Sequence, residues 1–215
     1  MERSIICRKA IQILGLSLVL MTAETARGAI TVFDTFGVGN AYDTGTRYGV
    51  DGNGTFQAFL FVPTTSGTLS DITVALGRSS ATTLFTQFNL YAGTPTALGA
   101  LLESNVVPNS VPAGLTPGQV VNFSSVVQPL LIAGQNYWLS FTEPNAADGS
   151  SSLWFFNSQG ILGTRLTDLL PAATAANPAF RISVNPVPEP NFLPVMLSAM
   201  VGFFLVHRYR KPLAD

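Results

Sequence analysis

At 215 residues the chain has room for one medium domain plus targeting segments. Charged residues make up 11% and hydrophobic ones 47%, with 19 Gly and 14 Pro; this is too apolar and too rich in Phe for a disordered chain, and it suits strands separated by turns. Between Ile30 and Pro186 four arginines and no lysine face eight carboxylates, a net charge of about −4 that repels phosphate backbones and argues against nucleic acid as a partner.

In chain order, the N-terminus reads as a secretory signal over residues 1–28. Arg3, Arg8 and Lys9 supply a basic start, Ala10–Met21 an apolar stretch, and "TARGA" a small-residue cleavage site after Gly28 with Ala26 at −3. Its apolar run of roughly 12 residues is short for a bilayer span, so removal is expected. Cys7, the chain's one cysteine, lies inside this segment. The mature domain is therefore expected to lack disulfides, thiolate catalysis and zinc–thiolate sites.

From residue 30 to 184 alternation and short β-branched or aromatic runs recur, and a helical period does not. Strands are expected near Ile30–Phe36, Phe56–Pro63, Leu69–Gly77, Phe85–Ala92, Leu101–Val106, Gln119–Ser125, Gln135–Thr142, Ser152–Asn157 and Ala179–Val184. Turn residues punctuate them at Asp51–Gly54, Gly93–Pro95, Thr116–Gly118, Ala133–Gly134 and Ala147–Ser150. In "FTQFNLYA" Phe88 and Leu90 share a face with Thr86, opposed to Gln87, Asn89 and Tyr91. In "LSDITVAL" Ile72 and Val74 oppose Asp71 and Thr73. About nine short strands at this spacing predict an all-β fold, an antiparallel β-sandwich of jelly-roll type with a closed barrel as the alternative. From residue 170 to 177 the chain becomes Ala- and Pro-rich before its last strand.

Chemistry is sparse. The one histidine, His207, lies beyond the last strand, which removes Ser-His-Asp and Cys-His machinery from the domain and every His-based metal site. The carboxylates fall mostly in turns, where Asp is expected for backbone reasons, so no catalytic residues are assigned. Asp43, Asp51 and Asn53 offer oxygens for calcium. The stretch nevertheless departs from the helix-loop-helix calcium pattern at Phe56 and Val62, and a hairpin turn explains Gly52 and Gly54 equally, so no cofactor is expected. If Trp138 and Trp154 face solvent on neighbouring strands, they form a platform for sugar rings, joined by Tyr42 or Tyr48. Core packing is favoured, because large aromatics are usually highly buried. Both faces of "SLWFFN" are apolar, which places that strand centrally under cover on both sides.

The C-terminus carries the most specific pattern. A Pro-rich linker over 185–191 leads into an uncharged apolar run, Phe192–Val206, read as a transmembrane helix. At about 22 Å it is short for a hydrocarbon core of about 30 Å. A basic tail over 207–215 follows, with Arg208, Arg210 and Lys211 holding that end in the cytoplasm. "VPEP" (Val187, Pro188, Glu189, Pro190), the apolar segment and the arginine-containing tail together resemble the PEP-CTERM sorting signal of exported proteins in Gram-negative bacteria that make exopolysaccharide. The resemblance implies recognition and cleavage near the Pro-Glu-Pro step by exosortase, a multi-pass membrane enzyme, after transient anchoring in the inner membrane. Two departures are the trailing "PLAD" and the phenylalanines Phe203 and Phe204 in the apolar run. Upstream, "TFQAFLFVP", "FNLYAGTP" and "AGQNYWLSFT" resemble the choice-of-anchor β-sandwich domains found ahead of such signals. The resemblances imply a non-catalytic surface or matrix protein associated with exopolysaccharide. A carbohydrate-binding module is the alternative, and exposure of the two tryptophans separates the two.

Overall fold

The short alternating runs close into thirteen antiparallel strands in the computed structural model, which describes residues 28–51, 56–79, 84–109, 114–143, 151–167 and 170–187. They are β1 (Ile30–Asp34), β2 (Tyr42–Asp51), β3 (Gln57–Phe61), β4 (Gly67–Arg78), β5 (Leu84–Thr94), β6 (Ala97–Asn109) and β7 (Gly114–Ser124), then β8 (Leu130–Leu131), β9 (Tyr137–Thr142), β10 (Ser151–Asn157), β11 (Leu162–Thr167), β12 (Leu170–Ala176) and β13 (Phe180–Pro186). A single 3-10 turn, Val38–Asn40, is the helical content among the described residues. Each of the nine expected strands is present.

One sheet has the order β1-β13-β4-β10-β2, with β7 and β8 both pairing β4; the other runs β12-β11-β3-β9-β5-β6. β4 is the hub of the first sheet. β13 pairs its first part and β10 its last three residues, while β8 and β7 are its other partners. In this strand Ser70 is an extra residue, since Ser183 sits opposite Asp71 and Val184 opposite Leu69. The bulge resets the two-residue period, so Leu69 joins Ile72, Val74 and Leu76 on the inner face. The displaced Ser70 carbonyl accepts the Ser125 N–H at 2.8 Å.

The two inner faces share one core, which makes the domain a β-sandwich. Phe59, Phe61, Phe88, Leu90, Leu139 and Phe141 come from one sheet, and Ile72, Val74, Trp154, Phe180 and Ile182 from the other. Trp154 is the central piece, 4.6 Å from Phe141, 5.2 Å from Phe59 and 5.6 Å from Phe180 between ring centroids. A smaller cluster of Phe36, Ala75, Leu153, Phe155 and Ala179 covers the other side of β10, as the doubly apolar "SLWFFN" implied. Gly118 and Gly77 leave the slot for Phe155: a Cβ on Gly118 would come 2.2 Å from the ring, and one on Gly77 2.9 Å.

Residues Gly28–Val187 form one compact unit. Its last strand runs further than expected, because Asn185 pairs Thr68 and Pro186 pairs Gly67. Two residues assigned to the linker thus belong to the sheet, with the proline at the strand's end. The signal residues before Gly28, the step Pro188–Pro190, the apolar run Phe192–Val206 and the cluster Arg208, Arg210, Lys211 lie outside the described residues. Among the described residues no helix is long and apolar enough to cross a membrane.

Replacing Trp154 by Ala removes the ring that bridges both sheets, so urea unfolding should show a loss of about 3–5 kcal/mol. A loss below about 1 kcal/mol would contradict this account of the core.

Candidate functional site

A cleft of about 280 Å³ opens where the second sheet parts. β11 pairs β3 at Arg165↔Phe59, Leu166↔Ala58 and Thr167↔Gln57, and the pairing stops there. The next rungs would be Thr164 with Leu60, Gly163 with Phe61 and Leu162 with Val62. All six of these residues line the cleft. On its far edge β11 keeps to β12, with Leu162↔Ala176, Gly163↔Ala175 and Thr164↔Thr174. β11 therefore leaves β3 to follow β12, and Phe33, Asp34 and Thr35 from the end of β1 line the space between the two strands.

The head of the cleft is fixed by asparagines. Asn157 Oδ1 accepts the N–H groups of Gln159 and Ile161 at 3.0 and 2.8 Å, and its Nδ2 donates to the carbonyls of Ile161 and Asn177 at 2.9 and 2.6 Å. This folds the turn after β10, in which Gly160 takes φ +68. Asn177 donates its backbone N–H to the Ile161 carbonyl at 3.0 Å and is 3% exposed. Its carboxamide lies against Gly163, where any Cβ would fall 2.1 Å from Oδ1. That Oδ1 is buried and has no hydrogen-bond partner.

Two other polar groups of the cleft, those of Thr35 and Asp34, are already engaged. Thr35 Oγ1 lies 2.7 Å from the Pro178 carbonyl and accepts the Phe180 N–H at 2.8 Å. Asp34 accepts Phe36 N–H through Oδ1 and Arg181 Nε through Oδ2, at 2.9 and 2.8 Å. The half-exposed Arg181–Asp34 pair contributes at most about 1 kcal/mol. It does hold the Arg181 guanidinium 5.5 Å from the Phe36 ring and 2.9 Å from Asn40 Oδ1, which ties the segment after β1 to β13.

Both tryptophans are buried, as the favoured packing reading expects, and the condition for the sugar-stacking alternative, exposure on neighbouring strands, is not met. Trp138 and Trp154 are both 0% exposed and lie on β9 and β10, which belong to different sheets. Trp154 donates its indole N–H to the Ala179 carbonyl at 3.3 Å within the core. Trp138 points the other way, away from the core; its indole rests on Gly93 and donates to the Thr94 carbonyl at 2.9 Å. Neither ring presents a face to a ligand. Tyr42 and Tyr48 are also committed, their hydroxyls donating to the carbonyls of Gly118 and Ala176.

Of the calcium candidates, Asp43 accepts the Gly45 N–H at 2.8 Å, an Asx-type turn. The Asp51 side chain and Asn53 lie outside the described residues. Among the described residues no three His, Cys, Asp or Glu side chains group as a metal site.

Sequence reasoning missed two buried carboxylates, because nothing in the pattern marks a glutamate that faces inward. Glu103 accepts Ser125 Oγ–H at 2.5 Å and Val126 N–H at 2.7 Å, fixing the turn between β7 and β8. Glu143 accepts the Ser152 hydroxyl, which is 3.1 Å from Thr86 Oγ1. Glu103 sits opposite Leu90, while Glu143 follows Thr142, the partner of Gln87. Their backbones are therefore spaced about 13 Å along β5 at ~3.3 Å per residue. Both act as acceptors that hold turns and strand ends.

No protein-family model matches the chain, and no curated protein matches it.

Burial raises the pKa of Tyr42, Tyr48 and Tyr91 above the ordinary value of 10.0, opposed at Tyr48 by the nearby Arg165 guanidinium. The Gly45 N–H bond lowers that of Asp43. A raised pKa means the folded state holds its proton more tightly. The tyrosine contribution is thus complete below about pH 10 and lost as pH climbs through the folded values. The Asp43 contribution is present above about pH 4 and lost as pH falls. With no His between Gly28 and Val187, urea unfolding should give the same stability from about pH 6 to 9 and a decline above about pH 10. Tyr48→Phe should soften that decline. Iodide should leave the tryptophan emission nearly unquenched in the native protein; strong quenching would contradict the burial of Trp138 and Trp154.

Proposed function

We propose that the chain is an exported, non-catalytic surface or extracellular-matrix protein, a β-sandwich delivered by a C-terminal sorting signal of the PEP-CTERM kind. The observation that carries this reading is the position of the motif against the folded unit. Pro186 is the last residue of the last strand and Val187 is 47% exposed. "VPEP" therefore begins where the sandwich ends, and proline steps favour extended backbone that a protease can enter. The apolar run Phe192–Val206 and the cluster Arg208, Arg210, Lys211 follow in the order such a signal requires.

In this reading an N-terminal signal helix is removed on export, and the Phe192–Val206 helix holds the chain in the inner membrane until exosortase cuts near Pro188–Pro190. The released domain then joins the cell surface or an exopolysaccharide matrix. A sandwich that coheres through its aromatic core needs no disulfide after export, which supports the assignment of Cys7 to the signal. The jelly-roll kinship of the sandwich belongs to the same reading. It is supported by the chain's passing between the two sheets at eight of its twelve strand connections.

Intact-mass measurement of the protein recovered outside the inner membrane, from cells with and without exosortase, tests the proposal. With the enzyme, the mature chain should begin at Ala29 and end near Pro190; without it, the C-terminus should remain Asp215. A chain ending at Asp215 in both strains overturns the sorting reading and leaves a permanent anchor.

A further inference from the structure

We propose that the cleft between β3 and β11 is a binding site for an extended, uncharged peptide segment of a partner protein, which completes the interrupted ladder. Pairing stops after Phe59↔Arg165, and the three rungs that would follow are the two walls of the cleft. Strand edges are templates for a further strand, because the N–H and C=O groups directed across the gap lack a ladder partner there. Three rungs at ~3.3 Å span about 10 Å, so three consecutive peptide residues fill the gap.

Asn177 is an independent observation. A buried carboxamide oxygen without a partner costs stability, about 1–3 kcal/mol for a polar group of this kind. It sits at the head of the cleft, pressed against Gly163, the glycine that makes room for it. The terminal torsion of an Asn side chain is soft, and a modest turn presents Oδ1 to the gap. There it accepts an N–H from the incoming chain.

The lining sets the ligand's chemistry. Phe33, Leu60, Val62, Ile161 and Leu162 supply apolar surface, while the Asp34 carboxylate is neutralised by Arg181. An alternating peptide fits, with apolar side chains over the part-buried Phe33 and polar ones outward, while Phe61 stays in the core behind. A charged segment is rejected by the cost of desolvation.

The test uses the ¹⁵N-labelled full chain in detergent micelles, titrated with acetyl-Val-Thr-Val-Thr-Val-amide. Saturable shifts should centre on Leu60–Val62, Leu162–Thr164 and Asn177, with a Kd at or below ~1 mM. The same peptide methylated on its central amide nitrogens should bind about tenfold more weakly or not at all, a control that leaves the protein untouched. Asn177→Leu should also weaken binding about tenfold while raising the midpoint of thermal unfolding, because it removes the unpartnered oxygen. Shifts spread evenly over the other strand edges, equal binding of the methylated peptide, or no saturation overturns the proposal. So does a soluble oligosaccharide such as cellopentaose that saturates the cleft where the peptide does not.

Discussion

The domain depends on one strand. β4 carries partners on both edges, and two of them, β13 and β10, share the same edge end to end. The sheet can be continuous only if β4 presents inner-face residues to all of them, and the bulge at Ser70 makes that so. Without the extra residue, Leu69 would fall on the face of Asp71 and Thr73, and the end of β4 that pairs with Pro186 would turn its apolar side outward. The bulge is held from outside the strand by the Ser125 N–H, and Ser125 is itself held by Glu103. A buried carboxylate on the far sheet thus helps set the register of the central strand.

Cohesion beyond the ladders is aromatic. Phe59, Phe141, Phe180 and Trp154 meet edge-on or tilted across the sandwich, the arrangement that a ring quadrupole favours. Space for the largest rings comes from glycine: Gly118 and Gly77 around Phe155, and Gly93 beneath Trp138. Many of the glycines that gave the sequence its turn-rich look are therefore packing positions inside strands. This explains why strand interiors such as β4 and β5 tolerate a residue that usually weakens them.

The sequence was legible where alternation meets a two-sided core. Phe88 and Leu90, Ile72 and Val74, and the doubly covered Trp154–Phe155 all face as their periods imply. It was illegible where strands pack through small or polar residues. β2 is rich in glycine and polar residues and reads as a loop, yet it pairs β10 along most of its length and sends Tyr48 inward against Phe59 and Phe156. β12, nearly all alanine, threonine and proline, carries no strand signal, yet it is the edge that draws β11 away from β3. The cleft arises from that diversion, and no period in either strand announces it. The separation of the two tryptophans was not legible for a related reason. Alternation tells which residues share a face of one strand, but not that β9 and β10, adjacent in sequence, lie in different sheets.

The same topology bears on how the two ends of the unit are used. β1 and β13 are neighbours, with Ile30 opposite Val184, so the chain enters and leaves the sandwich side by side. β13 is also locked on its other edge by seven pairs to β4 that run through Pro186. A cut anywhere after Val187 therefore removes no rung of either ladder, whereas a cut two residues earlier would free the Pro186 pairing that closes the sheet. In the proposed processing the Pro-Glu-Pro step lies just beyond the last rung, where cleavage removes no pairing. This arrangement predicts that moving the motif upstream into β13 would exchange efficient release for loss of the fold. In that reading, the spacing between the last strand and the first proline of the motif is a constraint set by the sandwich itself.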